Sequence, residues 1–208
     1  MEERTGLVLM AEVGGVKNRL AATSWLRELI AELDEAYGDR KLAAFALTQG
    51  DELQGLLAIG ADPLIAVLHA ALAPTRNLVR WVCVQGELDA SEGTATQRTG
   101  TVFLAARKAM DEAQADRERL VLKTGEASVD DLLAGMAPAL VELLDGLTDR
   151  QRSVSRLAII DGLRQSEVAD RLKIRRATAA VAFKRARVHT IERLAAAIGQ
   201  VFSGKAPS

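Results

Sequence analysis

Residues 45–58 read FALTQGDELQGLLA, and the polar break at Gln49, Gly50, Asp51 and Glu52 is the first place where side chains capable of chemistry gather. Two carboxylates at one turn suit a divalent cation, which takes hard oxygen ligands, or a nucleotide held through such a cation. The same residues also make a plain turn, with glycine taking a positive φ and the aspartate accepting main-chain N–H groups. Both readings stay open on the residues alone.

The second concentration is of charge. Between Asp149 and Arg193 stand 12 Lys and Arg against 5 Asp and Glu, an excess of +7, so the rest of the chain carries −8 to reach the net −1. An acidic body joined to a basic module is what contact with a polyanion requires. A solvated basic face on a helical bundle that packs on a partner has the same composition.

The elements that must position these groups are bounded by composition. At 208 residues and 49% hydrophobic, the chain supports one large or two small packed domains. Its apolar runs break before the ~18 residues a bilayer needs, and the acidic start Met1-Glu2-Glu3 does not read as a secretory signal, so a cytoplasmic protein without membrane contact is expected. Cys83 is the single cysteine and His69 and His189 the only histidines, which excludes a disulfide framework and the usual zinc sites within one chain. Aromatic content of 3% argues against base stacking on single strands.

Leu7–Ala11 predicts a buried strand and Glu12–Gly15 the turn after it. Ala22, Leu26, Leu29, Ile30, Leu33 and Tyr37 fall at helical spacing up to Gly38. Leu42–Thr48 and Leu53–Ala58 flank the polar break as a hairpin, and Asp62-Pro63 opens a helix. Leu78–Val84 alternates as a strand with Val79, Trp81 and Cys83 on one side, Ala90–Thr99 is a loop, Gly100–Gln114 a helix and Arg119–Lys123 a short strand. The order β-α-β-β-α-β-α-β predicts one sheet with helices on a face, and hence an α+β protein whose N-terminal part is an α/β sandwich. A connecting helix follows over 129–144, with Ser128 as its N-cap and Pro138 inside it. The divisions are 1–124, 125–146 and 147–208.

Residues 147–194 lay out a cap at Thr148, a helix carrying Val154, Leu157, Ala158 and Ile160, a stop at Gly162, a second helix over 165–172 and a third from Arg176. Leu147-Thr148-Asp149-Arg150-Gln151, with Gln165-Ser166-Glu167-Val168-Ala169 and Leu172-Lys173-Ile174, resembles the helix-turn-helix of sigma-region-4 and LuxR-type regulators. The resemblance implies that the third helix enters the major groove of double-stranded DNA. Arg164, Gln165, Ser166, Arg175, Arg176, Lys184, Arg185 and Arg187 are then the expected polar and phosphate contacts, and Thr178, Ala180 and Val181 the groups facing bases. Lys173 stands where such turns often have glycine, and Arg175 where a Ser or Thr would cap the helix.

The sheet order, with Glu12 closing strand one and Asp51 at the hairpin, is similar to class III nucleotide cyclases and GGDEF domains. That similarity implies Glu12 and Asp51 as ligands of Mg²⁺, and Gly50, Asp51, Glu52 and Arg107 around a small nucleotide. Glu12 in place of aspartate, Leu47 in place of a base-reading lysine and Phe103 in place of a transition-state asparagine point away from catalysis. Arg107, followed by Lys108, Asp111 and Glu112, equally suits an exposed ion pair. Across nearly its whole length the chain resembles the SatD family through Gly50-Asp51-Glu52-Leu53-Gln54-Gly55, Arg80, Ala106-Arg107 and the basic module. The resemblance implies a DNA-binding transcriptional regulator, expected as a homodimer, with a degenerate cyclase-like domain for sensing or dimerisation. A nucleotide-using enzyme and a scaffold docking an acidic protein are the alternatives.

Overall fold

The computed structural model describes residues 4–14, 19–48, 52–75, 77–88 and 100–204. It is an α+β structure in the predicted order. Strand β1 (Arg4–Gly14) leads to α1 (Arg19–Tyr37), β2 (Lys41–Leu47), β3 (Glu52–Ala58), α2 (Leu64–Ala71), β4 (Leu78–Leu88), α3 (Thr101–Ala115) and β5 (Leu120–Lys123). Helices α4 (Ala127–Asp145), α5 (Asp149–Ile159), α6 (Gln165–Arg171), α7 (Arg176–Arg185) and α8 (Val188–Phe202) complete it. Gly50, Asp51 and the predicted loop over 90–99 lie outside the described residues.

The sheet order is β2-β3-β1-β4-β5, antiparallel except for the parallel pair β4–β5. Two β-α-β units therefore interleave: β1–α1–β2 steps over β3, and β3–α2–β4 steps over β1. Glu12 is inside β1 rather than in a turn, because pairing with β3 and β4 carries the strand on to Gly14.

Helices cover both faces, not one as the order suggested. Leu7, Leu9, Ala11 and Val13 of β1 bury with Trp81 and Cys83 against α1, α2 and α4, while Val8, Met10, Val82 and Val84 bury under α3. Double coverage explains why LVLMA is continuously apolar instead of alternating. It also gives the β4–α3–β5 connection the opposite hand to β1–α1–β2, so one of the two departs from the right-handed rule. Burial pushes the Cys83 thiol far up, which leaves it a packing group.

Helix α4 begins at Ala127, not after Ser128. The Asp130 carboxylate turns back to accept from the Thr124 N–H and hydroxyl at 2.6 and 2.8 Å, which starts the helix earlier, and the Ser128 hydroxyl donates to Glu126. Beyond the three helices expected of the basic module, α8 returns to the sheet. Ile191, Ala195, Ile198 and Phe202 bury on the face it turns to α4 and α2. The Gln85 amide donates to the Phe202 carbonyl at 2.9 Å, and Gly199 passes the Asp62 carboxylate so closely that a Cβ would come within 2.8 Å. Tyr37 ties α1 to the same corner, donating to the Asp62 carbonyl and accepting from the Ala66 N–H.

Gly55, the second glycine of the GDELQG stretch, sits under the ring of Phe45 on β2, where any Cβ would overlap the aromatic carbons. Gly55→Ala is therefore expected to destabilise by about 1–3 kcal/mol through overpacking. Urea denaturation checks this, with the loss shrinking when Phe45→Leu accompanies it.

Candidate nucleic-acid interface

The module begins with a reciprocal cap. The Gln151 amide oxygen accepts from the Thr148 N–H at 2.8 Å and the Thr148 hydroxyl accepts from the Gln151 N–H at 3.3 Å, so α5 starts where the sequence placed it. Gly162, at φ +66°, ends the turn after it. The Arg164 N–H donates to Glu167, fixing the start of α6.

Helix α6 closes in a two-bond stop: the Lys173 N–H donates to the Asp170 carbonyl and the Ile174 N–H to Ala169. This stop needs a left-handed residue, and Lys173 takes it at φ +53°, where glycine would be free of the Cβ penalty. Arg187 does the same at φ +52° between α7 and α8. Cations at helix C-termini partly offset that cost through the helix dipole.

On α7, Ala179 and Phe183 face inward, with Ala186 just after the helix. Arg175, Arg176, Thr178, Ala180, Val181, Lys184, Arg185 and Arg187 are exposed, as are Arg164 and Gln165 on α6, while Ser166 is half-buried. Arg175 contributes no side-chain cap, so the first N–H groups of α7 stay open toward solvent. Ala177, which the sequence reading did not single out, is exposed on the same outer side, and an inward-facing Ala179 two residues on is the signal that marks it.

The twelve cations divide in two. Arg152 is buried and reaches Asp149 at 3.1 Å, and Arg156 reaches Glu32 of α1 at 2.8 Å. Among the described residues no salt bridge engages Arg150, Arg164, Arg171, Lys173, Arg175, Arg176, Lys184, Arg185, Arg187 or Arg193. The first pair holds the fold, and the other ten are exposed with no salt bridge to a described residue.

Glu32 is the hinge between the parts, taking Arg156 on one oxygen and His69 of α2 on the other at 3.1 Å. Burial favours its protonated form, but hydrogen bonds and charge from Arg156 and His69 outweigh this and hold its carboxyl below the usual value.

The carboxylates at the sheet end are engaged as well. Glu12 and Glu52 are cross-strand partners on the α3 face, a like-charge pairing that is unfavourable unless neutralised. Arg80 donates to Glu12 at 2.8 Å and to the Glu118 carbonyl at 2.9 Å, and Arg107 donates to both Glu52 oxygens at 3.0 Å. Thr48 adds a hydrogen bond to Glu52. Arg107 thus meets a carboxylate of the expected nucleotide set, while Asp51, the other expected Mg²⁺ ligand, is not described; no three His, Cys, Asp or Glu gather among the described residues. A cavity of about 660 Å³ lies elsewhere, along β5 between Ala109 and Ala113 of α3 and Ala134 and Pro138 of α4.

No protein-family model and no curated protein matches this chain. Among solved structures it is similar, at 18% identity and a TM-score of 0.32, to a regulator of polyketide synthase expression from Bifidobacterium adolescentis, over 96% of this chain and 82% of that one. No helix among the described residues is long and apolar enough to cross a membrane.

Two outcomes test this geometry. Lys173→Gly is expected to raise stability by up to about 1 kcal/mol by relieving the left-handed residue, read as a higher urea midpoint. A carboxyl depressed in the fold stabilises it above the unfolded value, near about 4.3, and that contribution fades as pH falls through the folded value. Glu32→Gln should therefore cost about 1 kcal/mol at pH 7, limited by solvent screening, and its difference from wild type should shrink in urea titrations below about pH 4.

Proposed function

We propose that this chain is a DNA-binding transcriptional regulator of the SatD type, in which α5, α6 and α7 act as a helix-turn-helix on a degenerate cyclase-like α/β body. The observation that carries the reading is the separation of charge: Arg152 and Arg156 serve the fold, whereas the cations of α6, α7 and their turns are exposed and form no salt bridge among the described residues. Surplus positive charge of this kind is costly to a folded chain through self-repulsion and is offset when phosphates bring the countercharge. The uncapped start of α7, next to Arg175 and Arg176, adds main-chain donors suited to phosphate oxygens.

The body serves as a platform rather than a catalyst in this reading. Arg80 occupies Glu12, so Mg²⁺ there would first have to displace a guanidinium group, and Arg107 is engaged by Glu52. A homodimer fits the role, because a single small DNA-binding module buries only about 600–1,000 Å² of protein surface.

The test is binding of random-sequence duplex DNA across a salt series. With about four to six phosphates neutralised, log K should fall against log salt with a slope between about −3.5 and −5.5. Arg175→Ala and Arg176→Ala should each reduce that slope by about 1. Absent or salt-insensitive binding overturns the reading.

A further inference from the structure

On the DNA-binding reading just given, the outer face of α7 also shows which feature of the bases it meets. At about 100° per residue, the direction opposite the buried Ala179, Phe183 and Ala186 is taken by Val181, with Ala177 and Thr178 one turn before it and Lys184 and Arg185 one turn after. Val181 is 51% exposed, and from α5 onward it is the one large apolar side chain so exposed among the described residues. Arg175 and Arg176 fall about 120–140° away from it around the helix, outside the face that Val181 centres.

An apolar side chain at the centre of a cationic face matches one feature of the duplex. The major groove is lined by hydrogen-bonding groups except for the C5-methyl of thymine, the apolar group that distinguishes that base. The centre of the face offers methyls from Val181, Ala177 and Thr178 and no amide or carboxylate with which to pair adenine or cytosine.

We propose that α7 selects thymine-rich duplex DNA by covering thymine C5-methyl groups with Val181, supported by Ala177 and Thr178, while the surrounding cations hold the backbone without regard to sequence.

The experiment uses the full chain and two pools of random-sequence duplexes, one synthesised with thymidine and one with deoxyuridine, which lacks only that methyl. A covered methyl is expected to contribute about fourfold in affinity, so two or three give roughly 15- to 60-fold tighter binding by the best-bound fraction of the thymidine pool. Val181→Ala, at an exposed position, should collapse most of this ratio and leave the salt slope unchanged. Equal affinity for the two pools with a steep salt slope overturns the thymine proposal and leaves the DNA reading standing. A full ratio retained by Val181→Ala also overturns the proposal as it concerns that residue. Loss of salt-dependent binding to both pools overturns the two together.

Discussion

The structure depends on the burial of one face of α8. Ile191, Ala195, Ile198 and Phe202 are almost wholly removed from water, and they continue the core that begins under the sheet with Leu7, Leu9 and Trp81. Each large side chain in that seam contributes roughly 1.5–3 kcal/mol relative to exposure. Because α8 follows α7 directly, fixing one against α4 and α2 fixes the other. The side of α7 carrying Phe183 must turn inward, and the side carrying Val181, Lys184 and Arg185 must turn out.

The same chain then uses like residues for opposite ends. Arg156 and Arg152 are positioned by carboxylates and stabilise the packing of α5, whereas Arg175, Arg176, Lys184 and Arg185 have exposed charge and no salt bridge among the described residues. Local rules are broken in this same region. Lys173 and Arg187 hold left-handed backbone that glycine would hold at less cost, and Arg175 leaves a helix uncapped. Such departures are not confined to that region, since Arg117 after α3 is also left-handed, at φ +61°, and α2, α3 and α4 likewise start without a side-chain cap.

Much of this could be read from sequence because it is local. Period and turn residues placed every strand and the helices through α7, the alternation in β4 divided Trp81 from Val82 correctly, and Thr148 with Gln151 announced its own cap. Partners distant in sequence left no such mark. Glu12 looked like the end of a strand because Gly14-Gly15 follow it, yet its fate is set by Arg80, 68 residues on. The docking of Arg156 on Glu32 spans 124 residues. Gly55 falls inside a predicted strand, but nothing local shows that its missing side chain makes space for Phe45. Ser128 had the right chemistry for a cap and lost the role to the earlier start that Asp130 creates.

The seam limits how the basic module can respond to events in the body. Turning α5–α8 against the sheet would expose Ile198 and Phe202, strip the Arg156–Glu32 pair and free the Gln85 bond to the end of α8. These losses are concerted, because the groups share one interface and packed interfaces shift between discrete arrangements rather than bending. A ligand on the body would need a differential affinity as large as that sum to move the module as a unit. The polar link is smaller than the apolar seam: Glu32 of α1 meets His69 of α2 with one oxygen and Arg156 of α5 with the other, so neutralising that one carboxylate loosens α5 without opening the packed face of α8.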